Sequence, residues 1–413
     1  MAQAALAYSP SLFNDCATSC EAYLACGGGY GTAPCGCAWK WRDERRHACE
    51  SCYLVCRERK AGAQPKGHLN TFAQHIATGL PLERLRLTQD QPLPFPLFIP
   101  TKTADLAGLQ VRLPLQWAAV DAKGLLNWRK QRGADLKPVF DGADSLAVRD
   151  YLHVNAECEL LAVLNAQDKI LESFWAMPRR KALSALRASG FVASTGPTFS
   201  VSTLTTGGTL VPRAHNLVMQ MRHHRVLHEI QEADLVSIPN LYWEDQRDQQ
   251  EWITWLKESP SVSVISRDFT RTRSQRAFMD KLNGLMELLA AVGRPFHVLV
   301  VGAGPAHAPS ALARLAELGF TGSIITSDPL LKASHGRQYV RNARGRLIYA
   351  PCPDSDIEEL CLYNMRVLED ALFEAVSNTS MAARAVRNLL PIDVAATTRP
   401  LDVHWLSATG RAA

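Results

Sequence analysis

Eight cysteines, Cys16, Cys20, Cys26, Cys35, Cys37, Cys49, Cys52 and Cys56, fall within 41 of the 413 residues. In a reducing compartment such a cluster serves as thiolate ligands rather than as a disulfide framework. Cys35-x-Cys37 with Cys49-x-x-Cys52 makes one tetrahedral zinc set, and Cys16, Cys20, Cys26 and Cys56 make a second. The spacing is irregular and contains a single true C-x-x-C, so an iron–sulfur cluster is the alternative, and reduced, metal-free thiols a third. Trp39 and Trp41 interleave with Lys40, Arg42, Arg45 and Arg46. That pattern suits base stacking beside phosphate contact, or packing of the indoles against the metal site.

A second set of reactive types stands just after apolar runs. Asn165 and Asp168 follow one; Thr198 and Ser200 another; Asn240, Tyr242, Trp243 and Glu244 a third; Arg267 and Asp268 a fourth; Gly302 and Gly304 a fifth; Ser327 and Asp328 a sixth. Carboxylates, hydroxyls, an amide and aromatics converging at one mouth would form a sugar-and-base pocket. The plainer reading is helix capping, since Asp and Ser favour such positions and Pro329 suits a first helical turn after Asp328. Gly302-Ala303-Gly304 resembles a dinucleotide fingerprint but has Ala306 and His307 where the third glycine belongs, and no acid about 20 residues on. No nucleotide cofactor is expected. Glycine there is expected to let a phosphate, sugar or base approach the backbone. Arg267, Arg271, Arg273 and Arg276 form one basic cluster; Lys332, Arg337, Arg341, Arg344 and Arg346 form another, with no acid from 329 to 346. Two such runs in a chain of net charge +5 point to phosphate ligands. His223, His224 and His228 lack a carboxylate companion motif and read as ordinary helix residues.

Positioning these groups requires a repeating frame. Apolar, β-branched runs at 97–99, 115–120, 160–164, 192–195, 235–238, 262–265, 298–301 and 324–326 read as strands. Helical periodicity covers 179–188, 213–233, 246–258, 274–292 and 308–318, with a terminal amphipathic helix over 356–376. Continuous apolar strands alternating with helices imply a parallel sheet covered on both faces. Eight of them predict an α/β, TIM-like (β/α)8 barrel; an open doubly wound sheet is the alternative. The expected organisation is a Cys-rich metal-binding module at 1–66, a Pro-containing linker and lead-in at 67–110, the barrel at 111–352 and a helical extension at 353–413. With 47% hydrophobic and 21% charged residues the chain is not disordered. No run approaches the length of a membrane span, and MAQAALAYSP lacks a charged region leading into an apolar core. A cytoplasmic protein without a membrane partner is expected.

The segment LARLAELGFTGSIITSDPLLKASHGRQY resembles the last strands of the tRNA-guanine transglycosylase superfamily: a helix, a short turn, a strand ending in Asp, then a basic, small-residue and glycine loop. HVLVVGAG is similar to that superfamily's preceding strand and glycine turn. The cysteine-rich, DNA-acting branch is the nearer likeness: the 7-deazaguanine DNA transglycosylases and antiphage DNA glycosylases. The resemblance implies that Asp328 attacks or supports the sugar C1′, with Asp268 or Asp168 protonating the leaving base. The family's D-S-G-G-F type and C-terminal C-x-C-x-x-C motifs are absent. The expectation is therefore a DNA glycosylase acting on a flipped, modified base in antiphage defence and leaving an abasic site. The alternatives are base exchange inserting a 7-deazaguanine, a metal-cluster redox enzyme, and a zinc-bearing nucleic-acid-binding protein without catalysis.

Overall fold

The computed structural model describes residues 78–90, 93–102, 112–129, 133–201, 213–272, 274–353 and 355–379. The eight N-terminal cysteines, the 1–66 module and Arg273 lie outside the described residues. Strands β1 (Phe98–Lys102), β2 (Trp117–Asp121), β5 (Glu159–Val163), β6 (Phe191–Thr195), β7 (Val236–Ile238), β8 (Val264–Asp268), β9 (His297–Val301) and β10 (Thr321–Thr326) form one sheet. Every pairing in it is parallel, and β1 pairs with both β2 and β10. Neighbours follow chain order around a ring. The ring closes between β7 and β8 through a parallel bridge from Asn240 to Ser266, with Ser266 N donating to Pro239 O at 2.9 Å and Leu241 N to Ser266 O at 2.8 Å. This is a TIM-like α/β barrel.

Burial on both faces explains the strand composition. One face of each strand packs inside the barrel, where Ile99, Ala119, Leu161, Val163, Ala193, Ile238, Leu299 and Ile325 interdigitate. The other face meets the helices. Between β2 and β5 come α1 (Ala122–Leu125), the hairpin β3 (Leu126–Arg129) and β4 (Gly133–Leu136), and α2 (Ser145–Leu152). Helices α3 (Asp168–Ala176) and α4 (Arg179–Ala188) precede β6, and α5 (Arg213–Glu232) precedes β7. Helices α6 (Gln246–Glu258), α7 (Gln275–Val292) and α8 (Ala308–Glu317) connect the next strands. After β10 come α9 (Asp328–Ser334), the hairpin β11 (Arg337–Arg341) and β12 (Leu347–Pro351), and α10 (Ile357–Ser377). Side-chain caps set several helix starts: Asp245 accepts from Arg247 N and Asp248 N, Ser274 from Ala277 N, and Asp356 from Glu358 N and Glu359 N.

The barrel begins at Phe98, inside the segment expected to lead into it. Its last helix is α10, whose Leu368, Leu372 and Val376 join the same core as Phe98 and Ile324, so the described part of the C-terminal extension is barrel wall. The N-terminal end of the barrel is plugged: Phe95 packs on Trp117 (ring centroids 4.4 Å apart) and stacks on His297 (5.4 Å). His297 is tied by Nδ1 to Thr321 Oγ1 and by Nε2 to Ser323 Oγ, both at 2.9 Å. With that end sealed, the open mouth is at the strand C-termini. Among the described residues no helix is long and apolar enough to cross a membrane.

Candidate active site at the barrel mouth

A cavity of about 670 Å³ opens at the C-terminal ends of the strands, within the range that holds small organic ligands. Asp121 lines it from the end of β2, Lys123 from α1, Asn127 from β3, Asn165, Gln167 and Lys169 from the segment after β5, and Thr270 and Arg271 from the loop after β8. The carboxylate in that lining is Asp121, whose Oδ1 accepts Gly124 N at 2.7 Å and so fixes the side chain at the start of α1. Strands β2 and β8 stand on opposite sides of the ring, so the loop after β8 must fold across the mouth to share a cavity with Asp121.

Two contacts hold that loop. Asp268 Oδ1 accepts Thr270 N at 2.8 Å, and Phe269 N donates to Val301 O at 2.7 Å. Gly302 makes room for it. Its φ is +80°, and a Cβ there would lie 2.3 Å from Thr270 Cγ2 and 2.8 Å from Thr270 Cα and N. The backbone that Gly302 admits is the protein's own Thr270, which corrects the expectation of a ligand at this glycine. Gly304 uses its carbonyl to accept His307 N and Ala308 N as α8 begins.

Asn165 and Asn240, singled out from the sequence, do meet. Asn240 Nδ2 donates to Asn165 Oδ1 at 3.1 Å, and both residues are buried at the mouth. The second polar atom of each, Asn165 Nδ2 and Asn240 Oδ1, is buried without a hydrogen-bond partner among the described residues. Whichever way the two amides are turned, the pair keeps one spare donor and one spare acceptor.

The other expected site residues are dispersed. Asp168 opens α3 and accepts Ser200 Oγ at 2.5 Å, so these two pair with each other beside the cavity lining rather than in it. Thr198 is half-buried in the same segment as Ser200. Arg267 is 6% exposed, lies 3.8 Å over the Trp243 ring and donates to Leu241 O. Burial lowers its pKa to about 9, and Lys281 beside it is lowered to about 8 by burial and by the Arg267 charge. Arg267 is thus a packing residue, which corrects its expected role on phosphate. It alternates with Asp268, so one faces the helices while the other faces inward.

Ser327 stands at the N-cap of α9 without a side-chain cap bond, and Asp328 is the first helical residue. The Asp328 carboxylate turns away from the cavity lining. Its Oδ2 accepts Tyr339 Oη at 2.6 Å and Tyr349 Oη at 2.9 Å. Lys332 Nζ is 4.0 Å from Oδ1 and 4.3 Å over the Tyr349 ring. Burial first, and the Asp328 charge second, push both tyrosine pKa values up, so the phenols stay protonated donors. Arg337 and Arg341 are exposed on the hairpin, and Arg341 pairs with Glu374 at 2.7 Å.

His223 and His224 are buried in α5, with Nδ1 atoms 2.7 Å from Pro197 O and 3.0 Å from Leu80 O. Burial lowers their pKa values to about 3 and about 4. Among the described residues no group of three or more His, Cys, Asp or Glu comes together to hold a metal ion. Sequence reasoning passed over Asp121, Lys123, Asn127, Gln167 and Lys169. Asp121 was within reach, because it directly follows the run at 115–120.

No family model matches the chain, and no curated protein matches it. Among solved structures, D-psicose 3-epimerase with D-tagatose from Clostridium cellulolyticum H10 aligns with a TM-score of 0.32 at 10% identity, over 65% of this chain and 89% of that one.

Proposed function

We propose that the chain is an enzyme that cleaves the N-glycosidic bond of a nucleobase in DNA, with Asp121 as the carboxylate that supports the sugar. The observation behind this reading is the lining of the mouth cavity: a carboxylate fixed at the end of β2, cations at Lys123, Lys169 and Arg271, and amides at Asn127, Asn165 and Gln167. Cleaving the bond builds positive charge on the ring oxygen and C1′, and a fixed carboxylate stabilises that charge without reorganising. The bond electrons leave with the base nitrogen, which takes up a proton. Water then adds at C1′ and releases a proton, leaving an abasic sugar. The cations suit the flanking phosphates, and amide donors and acceptors suit the edge of a flipped base. Antiphage defence, with recognition of a modified base, belongs to this reading through the resemblance noted in the sequence; the eight clustered cysteines add zinc, or alternatively an iron–sulfur cluster, in the N-terminal module. Incubating the full chain with unmodified and hypermodified phage DNAs, followed by mass spectrometry, tests it. Released free base with matching abasic sites is expected. Intact DNA across the whole panel would remove the assignment.

A further inference from the structure

The hairpin β11–β12 carries charge that the cavity does not use. From 329 to 353 the sequence contains Lys332, Arg337, Arg341, Arg344 and Arg346 and no acid. All four arginines are exposed, and among the described residues the ion pair made by one of them is Arg341 with Glu374.

The ribbon is anchored to the barrel wall. Tyr339 pairs with Tyr349 across it, and Tyr339 and Leu347 are buried beneath it in the core that holds α10. Tyr339 N donates to Asn364 Oδ1 at 2.8 Å, and Asn364 Nδ2 returns a bond to Arg337 O at 2.9 Å. The Asp328 carboxylate, bonded to both tyrosines, ties the middle of the ribbon to the end of β10. At the tip, Asn342 Oδ1 accepts Arg344 N and Arg346 N at 2.9 and 3.0 Å. Along the ribbon the side chains alternate: Ile348, 43% exposed and paired with Val340, faces outward, while Tyr349, 38% exposed, shares the inner side with Tyr339. The ribbon stands on the mouth side of the barrel: it follows the C-terminal end of β10, and Arg346 is near enough to His307, after β9, to add to the lowering of its pKa by burial.

We infer that this hairpin is a nucleic-acid grip, lying along a duplex groove with Arg337, Arg344 and Arg346 on phosphates. The inference rests on the proposed function only for what the cavity holds beside it. A two-stranded ribbon fits the major groove, about 12 Å wide. Exposed guanidiniums at both ends of the ribbon, without an ion pair among the described residues at Arg337, Arg344 and Arg346, complement a polyphosphate, and Val340 and Ile348 between them suit base edges and sugars.

The test is the salt dependence of binding of the full chain to a labelled DNA duplex, wild type against R344A/R346A. Two lost phosphate contacts should reduce the slope of log K against log salt by about 1.8 and weaken binding roughly ten- to thirtyfold near 0.15 M salt. The melting temperature should change little, because both tip side chains are exposed. R180A, on α4 outside the ribbon and paired with Glu232, should leave the slope as it is. An unchanged slope in R344A/R346A overturns the grip. So does tighter binding of wild type to phosphatidylserine vesicles than to duplex, if the double variant loses it. A reduced slope without base release by wild type would uphold the grip and remove the proposed chemistry.

Discussion

Gly302→Ala should disturb the mouth from a position outside the cavity lining. A left-handed φ of +80° costs an L-residue about 1–2 kcal/mol. The new methyl would also stand 2.8 Å from the Cα and N of Thr270, so the loop after β8 must move, at a further ~1–3 kcal/mol. Together these amount to roughly 2–5 kcal/mol, or a fall in melting temperature on the order of 5–15 °C for a domain of this size. The same movement displaces Arg271 in the cavity wall, and a misplacement of about 1 Å costs on the order of 10²-fold in rate. Adding Thr270→Ala removes the 2.3 Å clash with Cγ2 but leaves both backbone contacts, so it should restore only part of the loss. Thermal unfolding followed by circular dichroism, with base release measured well below the transition, reads both effects. Wild-type melting and wild-type rate in Gly302→Ala would refute the claim that this glycine seats the loop.

Asp328→Asn keeps the shape of the hairpin anchor but removes the charge that two tyrosine hydroxyls donate to, which should cost about 1–3 kcal/mol in denaturant unfolding while base release stays near wild type; unchanged stability with abolished release would return Asp328 to the catalytic role implied by the resemblance. His223 and His224 stay neutral in the fold down to about pH 3 and 4, whereas the unfolded chain binds their protons below about 6.5. The stability they contribute is therefore complete above pH 6.5 and is lost as pH falls toward 4, by up to ~1.4 kcal/mol per pH unit for each ring. Urea unfolding between pH 7 and 4 should show that slope, and it should flatten in His223→Gln; a slope unaffected by that substitution would assign the acid sensitivity to other groups.

The barrel was legible because parallel strands buried on both faces leave apolar runs that no loop imitates, as in HVLVV before Gly302. The hairpins were not. RQYVR buries Tyr339 alone and presents arginines, so it reads as a solvated basic loop until α10 is seen beneath it. Helix α9 is seven residues opened by Asp328 and Pro329, too short to show a period. For the site, the rule that chemistry follows strand ends located Asn165 and Asn240 but could not say which way a side chain faces. Arg267 and Asp268 are neighbours in sequence with opposite surroundings, and Asp328 lies past the strand, where the chain has already turned outward. The need for glycine at 302 was visible in the sequence; that Thr270 would fill the space was not, since the two residues meet only when β8 and β9 lie side by side.

The most direct test of the account is a single-turnover measurement on Asp121→Asn, paired with duplex binding by the same protein. Asparagine still accepts Gly124 N, so fold and binding should hold within a few-fold while the rate of base release falls by about 10²–10³. Wild-type release from Asp121→Asn would contradict the central claim, because the cavity would then hold no carboxylate that the reaction needs.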